Sequence, residues 1–317
     1  MKITDTRYKD VDAVAVEADA LRAVFLPACG AKLASLTDLR TGREFLVQAP
    51  GETYKKLSYD SDYVATECSG CDDMFPTIDI WYYDRFPWQG ARMPDHGEVA
   101  GLPWQTETEA DGRLHMWVYG VRFPYRLDKW ISVQDGSLLI EYAARNLSPF
   151  GMDFLWAAHT MVNAEPDAEI FVPYPDSAPA TIVFSTDEKF GKPGHKVAWP
   201  FAIRRDHTAV NLRSVGARSL KGNNYKYYFD EPMPEGKFGY YYPSDRTRLT
   251  MEVPADTVPY LSFWINEGSF KDFFNIAPEP CTGSWDHPGA AKTRKQASVL
   301  PGNGEYKWHL RFTVTQG

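Results

Sequence analysis

Residues 127–142, LDKWISVQDGSLLIEY, contain two runs of alternating side chains separated by an Asp-Gly pair. Successive residues of a β-strand point to opposite faces, so a period of two predicts strands with one buried face. Asp135-Gly136 suits the tight turns that join antiparallel strands. The stretch therefore predicts a β-hairpin, and the positions that share its inner face are Leu127, Lys129, Ile131 and Val133 before the turn and Leu138, Ile140 and Tyr142 after it.

The same period recurs along the rest of the chain, whereas no window of about 12 residues has the apolar spacing of an amphipathic helix. The 23 Pro and 23 Gly residues are spread throughout, which favours many short strands joined by turns. Thr41-Gly42 predicts the turn of a second hairpin. Further predicted strands are 21–26, 32–38, 44–47, 249–253, 259–265 and 306–314.

Two regions, 51–102 and 177–224, lack this regularity and are interpreted as long loops. Loops of that length in a compact domain usually carry function. We therefore predict an all-β protein. It is expected to be one large antiparallel β-sandwich domain over residues 1–317, with its ligand loops on one side.

The composition argues against several classes of partner. The net charge is −8 and the pI is about 5.4, so nothing attracts the chain to nucleic acid or to an anionic membrane. The N-terminus is polar, and no stretch approaches the ~20 apolar residues of a membrane helix. We expect a cytoplasmic monomer or homodimer that acts on a small molecule. Cys68 and Cys71 have C-x-x-C spacing without the second pair of a zinc ribbon, so reduced thiols are expected.

Three residues stand in places that suit acid/base chemistry. His96 lies in Pro94-Asp95-His96-Gly97, and His159 ends an apolar run that should form a strand. Glu279 lies between two prolines, which restrict the backbone on both sides of the carboxylate. Each of these residues alone is as well explained by a structural or surface role.

The sequence offers weaker support, or none, for hydrolase, nucleotide-binding, metal and glycosidase sites. There is no G-x-S-x-G elbow and no glycine-rich nucleotide loop. His96-x-Glu98 with His159 could begin a metal site, but the close histidine pair of a cupin is absent, and we expect no metal or other cofactor. Asp72, Asp73 and Asp84 could supply glycosidase carboxylates, although loop aspartates more often form turns.

The aromatic content of 15% fits either a β-rich core or a carbohydrate cleft in which flat rings stack on sugar faces. One or two of the tryptophans are expected to serve as such platforms. The candidates are Trp88, Trp104, Trp156, Trp264 and Trp285.

Several segments, taken in order, resemble the aldose 1-epimerase family, also called galactose mutarotase-like. Residues 30–36, Gly-Ala-Lys-Leu-Ala-Ser-Leu, are similar to its N-terminal Gly-Ala-x-Leu-x-Ser-Leu strand. Residues 94–97 resemble its Asp-His-Gly segment, and residues 277–283 resemble its C-terminal Glu-Pro segment. Weaker similarity covers 70–76, 146–159 and 300–302, so the resemblance spans nearly the whole chain. The family fold is a large antiparallel β-sandwich, often called a supersandwich, which agrees with the period-two pattern.

The resemblance implies a role for each of the three candidates. Glu279 would be the general base that removes the proton of the anomeric hydroxyl, His159 the general acid at the ring oxygen, and His96 a hydrogen-bonding assistant. No cofactor is implied. The residues expected to contact the sugar are Asp72, Asp73, Trp88, Glu98, Trp156 and Trp264.

Three departures from the family pattern leave the sugar open. The Gly-Arg-x-x-Asn-Arg segment is absent, the continuation after the second histidine differs, and the mid-chain Asp is replaced by a region with Asn223, Asn224 and Lys226. Four arginines could favour an anionic sugar if they are not ion-paired: Arg85, Arg92, Arg122 and Arg126. A carbohydrate-binding protein without activity, or a lyase or hydrolase on the same scaffold, remains an alternative.

Overall fold

The structure is a computed structural model that describes residues 1–216 and 222–317. Within those ranges the chain forms 27 strands, two short 3-10 helices (Val99–Gly101 and Thr186–Glu188) and one short helix, α1 (Pro288–Thr293). The first strands are β1 (Lys2–Tyr8), β2 (Val11–Ala18), β3 (Leu21–Leu26), β4 (Lys32–Asp38), β5 (Arg43–Glu44), β6 (Cys71–Met74), β7 (Trp81–Tyr82), β8 (Arg92–Met93), β9 (Gln105–Thr108), β10 (Leu114–Tyr119), β11 (Tyr125–Gln134), β12 (Ser137–Asn146), β13 (Met152–Phe154) and β14 (Ala157–Thr160). The remaining strands are β15 (Val162–Asn163), β16 (Glu169–Phe171), β17 (Pro179–Ser185), β18 (His195–Ala198), β19 (Phe201–Ile203), β20 (Ala209–Asn211), β21 (Asn223–Phe229), β22 (Lys237–Tyr242), β23 (Thr247–Glu252), β24 (Tyr260–Glu267), β25 (Phe274–Cys281), β26 (Ser298–Leu300) and β27 (Glu305–Gln316).

The hairpin predicted from residues 127–142 is confirmed. Strands β11 and β12 pair antiparallel from Gln134 opposite Ser137 outward. Asp135 and Gly136 both have positive φ, 51° and 71°, as the two central residues of a type I′ turn must. Leu127, Ile131, Leu138 and Ile140 are buried, so the alternation does mark the face that enters the core.

Two large antiparallel sheets form most of the structure. The first has 15 strands in the order β1-β2-β3-β4-β6-β14-β25-β24-β21-β17-β18-β19-β20, with β5 paired to β4 and β15 paired to β25. The second has 8 strands in the order β16-β22-β23-β27-β12-β11-β10-β9. One hydrophobic cluster contains buried residues of both sheets, from Val14 to Phe312. The predicted large antiparallel β-sandwich is thus confirmed.

The predicted strands and loops agree with the structure unevenly. Strands β3 and β4 have the predicted bounds, and β27 contains the predicted strand 306–314. Strands β23 and β24 overlap the predicted strands 249–253 and 259–265 but each lacks one terminal residue of the prediction. The prediction of a loop over 177–224 was wrong in part, because strands β17 to β20 and the start of β21 lie there. A register shift between Ile182 and Phe184 interrupts the period of β17, and the three following strands have few buried residues. Residues 217–221 of that region lie outside the described residues.

The region 51–102 is largely irregular, as predicted, with β6 to β8 as its short strands. It crosses the outer face of the first sheet, where its residues meet those of the central strands. No helix in the described parts of the chain is long and apolar enough to span a membrane.

Candidate active site

The central strands of the first sheet supply one wall of the site. Strands β6, β14, β25, β24 and β21 are consecutive neighbours, and residues paired across them share a face of the sheet. The paired residues on the outer face are Asp72 with His159, Ser262 with Glu279, and Lys226 with Trp264. Strand pairing thus brings together residues from strands that are distant in sequence, and the alternation of side chains places them on the same face of the sheet.

The loop region 51–102 covers this face and contributes His96. His96 and Gly97 both have positive φ, 58° and 75°. A Cβ on Gly97 would lie 2.3 Å from the carbonyl oxygen of Phe75, so only glycine fits there. Glycine is therefore required after His96 for a steric reason. It lets the loop pack on the backbone of Phe75, and this packing places the His96 ring over the sheet.

Between the loop and the sheet lies a cavity of about 430 Å³. That volume is in the range of small-molecule sites, about 300–1,000 Å³. Its wall combines the three predicted acid/base residues with aromatic and acidic side chains. The lining residues are Tyr63, Val64, Met74, Ile78, Asp79, Asp95, His96, His159, Val183, Phe184, Asn224, Lys226, Trp264, Phe270, Glu279 and Asp286.

Glu279 is 1% exposed, and its two carboxylate oxygens have different surroundings. Oε2 lies 2.6 Å from Nζ of Lys226 and accepts a hydrogen bond of 2.9 Å from the Ser262 hydroxyl. Oε1 lies 3.5 Å from Nε2 of His159. One oxygen is thus held by two donors, while the other faces the imidazole and remains available to a ligand.

His159 is 7% exposed and is surrounded by aromatic rings. Its ring meets that of His96 edge-on at 5.6 Å and is tilted by 39° against Trp264 at 5.7 Å. Burial, followed by the electrostatic effects of His96, Lys226 and Lys32, lowers the pKa of His159 well below its ordinary value of 6.5. His159 is therefore a neutral imidazole at neutral pH.

His96 is held from two sides. Nδ1 lies 2.9 Å from the Asp95 carboxylate, and the ring stacks on Tyr63 at 3.5 Å with an interplanar angle of 7°. Tyr63 donates its hydroxyl hydrogen to Asp72 at 2.8 Å, and Asp72 is paired with Lys32 at 3.0 Å. Asp72, one of the expected sugar contacts, thus acts in this structure as the support of Tyr63, beside the cavity.

Lys226 and Asp286 are two of the site residues to which the sequence interpretation gave no role. Nζ of Lys226 lies 2.7 Å from Asp286 Oδ1, and Tyr228 donates to the same oxygen at 2.9 Å. Burial lowers the pKa of Lys226, but attraction by Asp286 and Glu279 outweighs it and the net pKa is raised, so the side chain remains an ammonium group. The available signal was Lys226 and Tyr228 at alternate positions of an apolar run, which puts both on one face of a strand.

Four of the expected sugar contacts lie away from the cavity. Trp156 is fully buried and donates its indole N–H to Asp73 at 3.0 Å, on the opposite face of the sheet. Glu98 is also fully buried and accepts from the Tyr59 hydroxyl and from two backbone N–H groups. Trp88 packs against Tyr83 and Phe123. We therefore leave these four residues out of the candidate site, while Trp264 lines it.

The other charged candidates are engaged elsewhere. Arg85 pairs with Asp153, Arg126 with Asp128, and both Arg92 and Arg122 with Asp60, and none of the four lines the cavity. Asp84 pairs with Lys292 on the surface. All four cysteines are free and buried.

No arrangement in the described residues requires a metal ion. The possible ligand set of His96, Glu98 and His159 is broken, because Glu98 is bonded away from the cavity. Glu107, Glu109 and His115 place ligand atoms within 4.8 Å of one another on the second sheet. Both ring nitrogens of His115 already face carboxylate oxygens of Glu107 and Asp128, so this group is satisfied within the protein and we assign no metal to it.

The chain shares its fold with galactose mutarotase-like proteins of known structure. A galactose mutarotase-like protein from Lactobacillus casei has a TM-score of 0.69 and 18% identity over 96% of this chain and 100% of that one. A second such protein, from Clostridium acetobutylicum, has a TM-score of 0.69 and 14% identity over 100% and 99% of the two chains. A galactose mutarotase related enzyme from Lactobacillus acidophilus has a TM-score of 0.65 and 14% identity over 96% and 97%. No family model and no curated protein matches the sequence, so the likeness concerns the fold.

Proposed function

We propose that this protein is an aldose 1-epimerase, which interconverts the α and β anomers of a sugar by opening and closing its ring. The observation that carries the proposal is the placement of Oε1 of Glu279 3.5 Å from Nε2 of His159 at the wall of the 430 Å³ cavity. Ring opening needs one proton removed from the anomeric hydroxyl and one added to the ring oxygen. Two titratable groups at adjacent points of a sugar-sized cavity suit that exchange.

The proton balance gives each group a role. Glu279 takes the proton from O1, the C1–O1 bond becomes a carbonyl, and the electrons of the C1–O5 bond pass to the ring oxygen. His159 delivers the proton that O5 requires. Because His159 is neutral at rest, that proton must reach it during the reaction, and the newly protonated Glu279 is a source 3.5 Å away. After rotation about C1–C2 the ring closes on either face, and the same steps run in reverse.

The cavity favours a neutral aldose over a phosphorylated or carboxylated one. Among the described lining residues Lys226 is the sole Lys or Arg, and two carboxylates already surround it. Asp79, Asp95, Glu279 and Asp286 give the wall an excess of acidic groups. An anionic substituent would lose its hydration here without gaining a free cation.

Two further lining residues suit sugar binding. Trp264 offers an indole face next to His159. The side-chain oxygen of Asn224 is buried without a hydrogen-bond partner, although buried polar atoms are normally paired. A sugar hydroxyl would supply the missing donor. Trp264 would then fix the plane of the sugar ring, and Asn224 would fix the rotation of the sugar within that plane.

Polarimetry of freshly dissolved α-anomers tests the proposal, with neutral, uronic and 6-phosphorylated aldoses compared. We expect acceleration of a neutral aldose, with a loss of about 10²–10⁴-fold in kcat for Glu279→Gln. Asp84→Asn is the matched control, since it removes a surface carboxylate outside the cavity and should leave the rate unchanged. Full activity in Glu279→Gln would remove this residue as base. Sugar binding without acceleration would instead identify a carbohydrate-binding protein on this fold.

A further inference from the structure

Lys226 occupies an unusual position for a cation in a site that needs a free base. Its side chain is 9% exposed and its ammonium group lies between two carboxylates, 2.6 Å from Glu279 and 2.7 Å from Asp286. The contact to Glu279 uses Oε2, the oxygen that also accepts from Ser262. Lys226 therefore pairs with the carboxylate on the Oε2 side and leaves Oε1 facing the cavity.

Without this cation, Glu279 would have another partner within reach. Nε2 of His159 lies 3.5 Å from Oε1, and a buried carboxylate strongly favours a nearby positive charge. An imidazolium at His159 would bind the oxygen that must take the substrate's proton. A Glu279–His159 ion pair formed before the sugar binds would thus occupy the base, whereas the proposed mechanism forms the imidazolium only after Glu279 has taken the substrate's proton.

We propose that Lys226 is a positioning residue that holds Glu279 through Oε2, leaves Oε1 toward the cavity, and supplies the counter-charge that an imidazolium at His159 would otherwise supply. The catalytic meaning of this role rests on the proposed epimerase function. The buried ammonium thus adds to burial and to His96 in disfavouring a cation at His159, while it holds Glu279 by Oε2.

The remaining charged and titratable groups around the pair are consistent with this role. Lys32 is paired with Asp72, and the His96 ring contacts Asp95, so both groups have acidic partners of their own. Burial and the neighbouring Asp72 raise the pKa of Tyr63, and burial and Asp286 raise that of Tyr228, so both remain phenols. Burial and Glu279 likewise raise the pKa of Cys281 above its ordinary range, so it remains a thiol. Lys226 is thus the cation that directly contacts Glu279 of the Glu279–His159 pair.

The test is a histidine NMR titration, which needs no turnover. Protein labelled with ¹⁵N-histidine is titrated from pH 5 to 8, and His159→Asn assigns the signal of His159. We expect a neutral His159 in the wild type down to pH 6, a midpoint raised by about one pH unit or more in Lys226→Met, and recovery in Lys226→Arg. Wild-type His159 protonated at pH 7, or an unchanged midpoint in Lys226→Met, would overturn the proposal. If Lys226→Met folds poorly, Lys226→Gln replaces it, and an unchanged His159 midpoint in that variant would overturn the proposal equally.

Kinetics separate this proposal from the proposed function. If the protein is an epimerase, Lys226→Met lowers kcat with little change in KM, by less than the 10²–10⁴-fold expected for loss of the base, and Lys226→Arg restores part of the rate. If no sugar mutarotates faster but the titrations come out as expected, the role of Lys226 stands and the epimerase function falls. If activity depends on Glu279 but His159 titrates alike in all variants, the function stands and the role of Lys226 falls.

Discussion

Asp72 and Asp73 are consecutive residues of β6, and their carboxylates lie on opposite faces of the first sheet. Asp72 pairs with Lys32 at 3.0 Å and accepts a hydrogen bond from Tyr63 beside the cavity. Asp73 pairs with Lys129 of the second sheet at 2.8 Å and accepts from Trp156 within the core. The pleat of one strand thus divides two adjacent acids between the site and the interior.

The first prediction concerns the buried pair between the sheets. Lys129 is 2% exposed and has Asp73 and the carbonyl oxygen of Ala31 as its partners. Asp73→Asn leaves the ammonium without a counter-charge in the core, which should lower the free energy of unfolding by about 3–5 kcal/mol. Denaturant unfolding measures the change.

The double variant Asp73→Asn with Lys129→Met is the control for that prediction. Removing both charges should recover much of the stability, because a buried ion pair contributes little beyond satisfying its own members. A double variant no more stable than Asp73→Asn would show that packing or the hydrogen bond to Trp156, and not the unpaired charge, causes the loss.

The sequence predicted most of the sandwich because period-two alternation is a local signal. Asp135-Gly136 and the residues on either side need no distant partner to form a hairpin. The alternation fails where strands are short or bulged, as at Ile182 to Phe184 in β17. The alternation also does not predict which strands become neighbours in the sheet. That order decides which residues lie side by side at the site.

The candidate site was accordingly predicted in part. The motifs around His96 and Glu279 were visible in the sequence, and both residues line the cavity with His159. The sequence could not show that Glu98 is bonded to Tyr59 and Arg122, or that Trp156 faces the core. Nor could it show Lys226 beside Glu279, since the two are 53 positions apart in the sequence and the contact depends on β24 lying between their strands.

The second prediction concerns Trp264 as the sugar platform. Its indole lies against His159 and Phe270 at the cavity wall. Addition of a bound sugar should change the tryptophan fluorescence of the wild type, and Trp264→Phe should remove most of that response. Trp88→Phe is the matched control, because Trp88 packs away from the cavity. A response lost in Trp88→Phe and kept in Trp264→Phe would contradict this assignment.

The third prediction concerns Asn224 and its unpaired side-chain oxygen. If that oxygen accepts a sugar hydroxyl, Asn224→Leu should raise KM by roughly tenfold, which corresponds to the loss of one hydrogen bond of about 1.4 kcal/mol. The rate kcat should change little, because such a contact exists in both the ground state and the transition state. Steady-state kinetics decides, and an effect confined to kcat would place Asn224 at the reacting atoms instead.

The last prediction concerns pH and follows from the neutral state of His159. Its pKa in the folded protein is lowered well below 6.5, chiefly by burial, whereas in the unfolded chain it is ordinary. Below pH 6.5 the unfolded chain therefore binds a proton at this position that the folded chain does not. Acidification then favours unfolding, and the contribution of His159 to stability is present above pH 6.5 and is lost as the pH falls below it.

The slope due to one such group approaches about 1.4 kcal/mol per pH unit. Urea unfolding of the wild type and of His159→Asn at pH 5, 6 and 7 isolates it, since other titrating groups cancel in the difference. The wild type should lose stability relative to His159→Asn as the pH falls from 7 to 5. His309→Asn is a useful companion, because burial also lowers the pKa of His309, which is half-buried on β27 and far less enclosed. Its effect has the same sign and should be smaller. The contrary result is a stability difference between wild type and His159→Asn that does not vary with pH. It would mean that His159 has the same pKa in the folded and the unfolded chain, and it would contradict a neutral His159 at the site.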